Sequence, residues 1–452
     1  MAAIMHRTAG TPTNINKCTW SLWLKRGQLT TTAGECFFGT ETAPGYIQYR
    51  FGPTATTNQI RMEAGGVDGG GFEYLTNRLF RDTNAWYHIV IAQDSTQAVA
   101  GDRVKLYING VQETSFATQT NWQLNSGIPY NASGAVQTIG SYGATSNLFS
   151  GCMSHFHFID GTQYAASDFG SFDATSGIWK INTGPSVTYG NNGFFLKMED
   201  RTNLDLDSSP NAHTFTTTGD ITATYDNPSN NFCTLNPLTK DAGGAKTYTH
   251  GNNTVTETAN SWTSAHSTLE ASTGKYYCET KLISFSGGTQ SYVGAASGDE
   301  IASKSASTYN IGSGNGSVGY YSTNGKIEKG GADTAGWGDS WTTGDIIGTA
   351  LDLDNNFIYF SKNGTWQDSG DPTSGATGTG GVALPSGMTG GELIGFSVSP
   401  NESVLSVNFG NGYFGITAVA STNADDAGIG SFEYDVPAGF YALCTKNIKA
   451  YG

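Results

Sequence analysis

The chain has 452 residues, 61 of them glycine, with 9 Trp, 22 Tyr and 23 Phe. Only 13% are charged, roughly half the usual share, and the net charge is −15 with a pI near 4.8. This argues against a helical protein, because Gly and aromatic residues are poor helix formers, against disorder, because the rings supply apolar area for collapse, and against nucleic acid or a membrane surface as partner, because both are anionic.

The N-terminal MAAIMHRTAG has no apolar h-region, so no signal peptide is expected. The apolar runs, around five residues long, fall far short of the ~20 that span a bilayer. The product is therefore expected to be made, and kept reduced, in a cytoplasm. Along the chain, period-2 alternation recurs and no 3.6-residue stripe is convincing. Residues 86–92 are mostly apolar on both faces, as in a strand covered on both sides. Val104, Leu106 and Ile108 share one face, and Asn109-Gly110 follows as a type I′ hairpin signal. Asp68-Gly69, Asn324-Gly325 and Asn363-Gly364 are further turn signals. Residues 346–353 alternate, with Leu351 and Leu353 on one face and Asp352 and Asp354 opposite. Leu405, Val407 and Phe409 form a last stripe. Many strands at this spacing predict an all-β protein of antiparallel β-sandwiches. Residues 225–231 are turn-rich and divide the chain into a domain at 1–226, a second at 232–416 and a C-terminal tail at 417–452. Phe-Cys-Thr-Leu-Asn (232–236) and Leu-Cys-Thr-Lys-Asn (443–447) are alike, as strands that pair to open and close the second domain would be.

Catalytic chemistry has little footing in the sequence. Paired carboxylates at strand spacing, which a glycosidase requires, are not found around the glutamates. There is no G-x-S-x-G elbow, and the Gly-rich stretch at 65–71 leads into no helix that could cradle phosphate. Cys18, Cys36, Cys152, Cys233, Cys278 and Cys444 form no CxxC pair, and they are expected to be free thiols packed as small hydrophobes. Asp205-x-Asp207 and Asp352-x-Asp354 resemble the start of calcium loops but lack the Gly and Glu that complete one, so no cofactor is expected and calcium is a minor expectation. His155 and His157 project from one strand face, with Phe156 and Phe158 on the other. In a trimer, three such pairs would surround an octahedral metal; the simpler expectation is a polar sheet face. What remains is recognition by rings in Gly-rich loops, which offer flat apolar faces to sugars or partner side chains. The candidates are Tyr309, Tyr320, Tyr321, Trp337 and Trp341; the plainer alternative is that they fill the loop base.

Residues 274–279 (GKYYCE), 292–294 (YVG) and above all 341–364 (WTTGDIIGTALDLDNNFIYFSKNG) resemble a SPRY domain. In that family the loops around the five candidate rings form the binding face. Trp20-Ser-Leu-Trp23, 86–90 (WYHIV), 106–110 (LYING) and 149–153 (FSGCM) resemble a laminin-G or concanavalin A-like lectin domain. The 205–211 turn (DLDSSPN) usually opens such domains and here comes near the end, which implies a permuted order. Together these resemblances imply two concanavalin A-like, jelly-roll type β-sandwiches in tandem. The tandem, with 158–162 (FIDGT) and 437–445 (PAGFYALCT), resembles virion proteins of tailed phages, marine ones especially. That likeness implies a tail fibre or appendage that binds a host-surface glycan or protein without catalysis. It also implies other virion subunits as partners, a homo-oligomer that is trimeric by analogy with fibres, and location in the virion. A capsid or tail decoration and, further off, a carbohydrate depolymerase are the alternatives.

Overall fold

Period-2 alternation becomes antiparallel sheet throughout, so the protein is all-β with β-sandwich folds and a short C-terminal helix. The computed structural model describes residues 3–27, 29, 34–41, 45–52, 58–65, 71–143, 145–239, 246–304 and 308–452. The Asp68-Gly69 turn, and with it most of the 65–71 stretch, lies outside the described residues. The chain divides into two units, Met1–Ala223 and Thr224–Gly452.

In the first unit, an eight-stranded sheet runs in the order Phe116–Thr120, Gly71–Thr76, Ile60–Gly65, Tyr46–Phe51, Glu35–Thr40, Val136–Ile139, Ile4–Thr8, Thr216–Thr218. A six-stranded sheet runs in the order Phe194–Leu196, Gly151–Asp160, Lys17–Arg26, Trp86–Asp94, Val104–Ile108, Val111–Glu113. Alternate side chains of both meet in one core. At its centre Trp20 is fully buried. It stacks on Phe38 at 5.0 Å and meets Tyr49, Tyr130 and Phe158 at 5.2–5.7 Å. The Asp160 carboxylate accepts from the Thr13, Asn14 and Asn192 backbone N–H groups and from Asn131 Nδ2. The 158–162 motif thus ties together loops far apart in sequence. Asn109 and Gly110 take φ of 48° and 82°, the conformation a type I′ turn demands.

In the second unit, two long strands, Lys275–Ser297 and Ile394–Asn408, pair with each other over most of their length. The first half of Lys275–Ser297 also pairs with Ile346–Asp352, and its second half with Ser317–Tyr321. Ile346–Asp352 forms a hairpin with Phe357–Lys362, which continues into Asn363-Gly364 at φ of 49° and 81°. The two similar pentapeptides lie side by side. Phe232 bridges Cys444, the Cys233 N–H donates to the Leu443 carbonyl, and the Thr445 N–H donates to that of Asn231. The tail segment carrying Phe432, Phe440 and Ala442 covers Tyr277, Ala350 and Tyr359 in a separate apolar cluster.

Two carboxylates fix this tail. Asp425 accepts from the Ala427, Ile429 and Ala442 N–H groups and from Asn447 Nδ2. Glu279, fully buried, accepts from the Glu433 and Tyr434 N–H groups, from Asn408 Nδ2 and from the Tyr277 hydroxyl. Burial pushes its carboxyl up to about 7 despite these donors. None of the six cysteines is in a disulfide; five are buried and Cys152 is half-buried. Burial pushes the Cys36 thiol up to about 12, so it is inert. Among the described residues no helix is long and apolar enough to cross a membrane.

Candidate functional site

The five candidate rings divide between the two faces of one sheet. Alternation along Ser317–Tyr321 turns Val318 and Tyr320 into the core. Tyr320 is completely buried, against Phe360 at 5.3 Å, Trp337 at 5.6 Å and Trp341 at 6.2 Å, and its hydroxyl donates to the Asp339 carbonyl. Trp341 is buried in the same cluster. Tyr309 is buried elsewhere, its hydroxyl 2.6 Å from Ser317 Oγ. These three therefore correct the expectation of ring faces open to a ligand. Gly, Ser and Asn neighbours gave them a loop-like setting, while the strand period and the loop base took them inside. Trp337 is half-buried, edge-on to Tyr320 and Phe360. Tyr321 points to the opposite, outer face, half-buried, and stacks on Tyr292 at 4.6 Å with Trp262 at 6.3 Å.

That outer face leads to a cleft. Gln290 and Tyr292 share a strand face and pair with Asn401 and Ser399 respectively. The register slips between Phe285 and Gln290, so 286–289 leave the ladder where Glu402 takes φ of 46°. The result is a cleft of about 210 Å³ lined by Asn260, Gly287, Gly288, Gln290, Asn401 and Glu402. Of the lining residues, Asn401 is only 4% exposed, and its Oδ1, itself shut off from solvent, has no hydrogen-bond partner among the described residues. Such an acceptor is costly unless something else fills it. Two residues beyond Asn260, half-buried Trp262 lies 5.2 Å from the Tyr292 ring. Lys326 Nζ sits 5.2 Å from the Tyr321 ring centre and 5.9 Å from that of Tyr292, held by Asp333 at 2.9 Å and Glu328 at 3.3 Å. Sequence reading found Tyr321 and missed the rest. The one available signal was the Gly287-Gly288 pair inside a strand pattern, which marks a bulge.

The first unit treats its outer face differently. His155 and His157 do point away from the core, as the alternation requires. However, both are buried rather than displayed on an open polar face, which corrects that expectation and leaves them no route to a shared metal. Residues 161–196 cross the sheet and cover them, with Val90 and Ile159 of the sheet beneath Phe169 and Tyr189. His157 stacks on Phe195 at 3.7 Å, and its Nδ1 lies 3.0 Å from the Tyr189 hydroxyl. His155, at φ of 49°, meets Ser154 Oγ at 2.7 Å and Glu199 at 3.3 Å. Burial lowers both imidazoles, His157 the more strongly. His88, fully buried, is clamped between Trp23 at 4.9 Å and Trp179 at 5.9 Å. Trp179 Nε1 donates to its Nδ1 at 2.9 Å, so Nε2 carries the proton toward Ser21 Oγ, also at 2.9 Å. The pair has the look of a nucleophile and its base, but burial pushes the imidazole down to about 3. So weak a base, sealed from solvent, activates nothing.

The acidic turns are equally occupied. Asp207 accepts from the Phe195, Ser209 and His213 N–H groups. Asp352 accepts from the Asn355 backbone and amide and pairs with Lys275 at 2.9 Å. Among the described residues no group of three or more His, Cys, Asp and Glu could hold a metal ion.

Residues 5–166 match the family model of the Concanavalin A-like lectin/glucanases superfamily, and residues 275–385 match that of the SPRY domain. The chain carries these two domains in tandem. Domains of these kinds typically bind rather than catalyse. No curated protein matches the chain. Among solved structures, the SPRY domain of human HERC1 is similar at 15% identity, over 38% of this chain and 96% of that one, with a TM-score of 0.30. The TRIM65 PSpry domain is similar at 12% identity, over 39% and 91%, with a TM-score of 0.28. Domain 4 of AbnA, a GH43 extracellular arabinanase from Geobacillus stearothermophilus in complex with arabinotriose, is similar at 20% identity, over 34% and 66%, with a TM-score of 0.24.

Proposed function

We propose that this chain is a recognition protein of a phage virion, a tail fibre or similar appendage, which holds a host-surface glycan or protein and catalyses nothing. One observation carries the binding reading: the cleft lined by Gln290, Asn401 and Glu402, on the sheet face that also carries the stacked rings of Tyr292 and Tyr321. The tandem of two binding-type domains supports it, as does the likeness of 158–162 and 437–445 to tailed-phage virion proteins, which is also the ground for a trimer and for other virion subunits as partners. A decoration protein with a purely structural role is the second reading, favoured by the burial of Tyr309, Tyr320 and Trp341 in its own core. A glycan and host-surface array with the full chain tests the proposal. Saturable binding to host material without release of reducing sugar is the expected result. No binding to any host material would favour the decoration, and robust sugar release would establish a depolymerase.

A further inference from the structure

We propose, resting on the recognition reading above, that the cleft at the slipped register of the second unit takes a neutral sugar residue, and that it selects against acidic sugars. The groups lining it decide the class. The Asn401 Oδ1 acceptor is buried and unfilled, and Glu402 brings a half-buried carboxylate with two more acceptor oxygens. Gln290 and Asn260 add amides that both donate and accept. Among the described residues no cation lines the cleft. The ligand must therefore supply several donors from one compact body, as neighbouring hydroxyls on a pyranose do. A volume of about 210 Å³ is small beside the ~300–1,000 Å³ of ordinary ligand pockets, and it fits a single ring of a longer chain.

Charge narrows the class further. A uronate or sialate would set its carboxylate against Glu402, with no arginine or lysine among the described lining residues to offset it. A neutral ring meets no such repulsion.

The glycines at 287 and 288 are part of the design. A methyl group added at Gly287 would stand 2.6 Å from Glu402 Oε1, so Gly287→Ala must displace that carboxylate without changing any charge. The test uses the full chain, with ligand-observed NMR and calorimetry on methyl glucoside, methyl galactoside, methyl mannoside, glucuronate, Nα-acetyl-lysine amide and calcium chloride. At least one neutral glycoside binds, and glucuronate binds at least about tenfold more weakly, the scale of one charge-assisted hydrogen bond. Glu402→Gln weakens the neutral glycoside and narrows its advantage over glucuronate. Gly287→Ala weakens it as well, and both variants keep the parent melting temperature. If host glycans bind the full chain while both variants leave affinity and charge preference unchanged, the cleft assignment falls and the recognition reading stands. If nothing binds on the glycan array the cleft assignment falls, and if no host-surface material of any kind binds the recognition reading falls with it. Preference for glucuronate or the lysine compound, or a saturable calcium signal abolished by Glu402→Gln, overturns the assignment outright.

Discussion

The outer faces of the two units pose the same problem and solve it in opposite ways. In each, a sheet buried on its inner side has rings and polar groups on its outer side. In the first unit a long connection carries Trp179, Phe169 and Tyr189 across that face, and every histidine beneath it is buried and held. In the second, the tail seals one stretch through Phe432, Phe440 and Ala442, but the stretch at Gln290 and Asn401 is left open. A sealed polar group is structural, because its partners are already in place. An open cleft lined by polar groups is available for a ligand. Rings and histidines alone do not separate the two cases; what crosses over them does.

The largest effect should come from breaking the seal of the first unit. Trp179 lies where a Cβ at Gly110 or Gly170 would stand 2.3 or 2.6 Å from its ring, so the glycines exist to seat it. Trp179→Ala should destabilise the first unit by about 3 kcal/mol. It should also let the His88 imidazole rise from about 3 toward its ordinary value near 6.5, read by NMR titration. An unshifted His88 would show that Trp179 is not its cover. Next in size, Glu279→Ala strands the Glu433 and Tyr434 N–H groups and should cost about 2 kcal/mol, with faster hydrogen exchange across 425–447.

The same carboxylate sets a pH dependence. Its folded value near 7 lies above the ordinary 4.5, so between those values the folded state holds a proton that the unfolded chain has released. Its contribution to stability is therefore fully favourable below about 4.5 and declines as pH rises toward 7. Glu279→Gln should flatten that part of the stability profile, as measured by thermal melts. The smallest effect sharpens the contrast from the open side. Trp262→Ala should cost only about 1 kcal/mol, since its ring is half-buried at the edge of a small cluster, while weakening glycan binding.

Much of the fold is visible in the chain itself. The period-2 stripes at 104–108 and 405–407 lie in strands with Val104, Leu106, Ile108, Leu405 and Val407 inside, and Phe409 is buried just past the strand end, while Asn109-Gly110 and Asn363-Gly364 took positive φ as turns. The two-sided apolar run at 86–92 is a strand covered on both faces, by the core and by the 161–196 crossing. The site was much less legible. Tyr320 and Tyr321 are adjacent and indistinguishable in composition, yet strand alternation buries one and leaves the other half-open. Asn401 and Glu402 look like any polar pair until a register slip of the partner strand sets them at a cleft.

The sequence by itself thus determined strand identity, turn chemistry and the two domain types, because these follow from local alternation and from residues that tolerate special backbone angles. Only the tertiary structure decided which polar groups were satisfied and which were left waiting. That depends on partners more than a hundred residues away, whose positions no local pattern encodes.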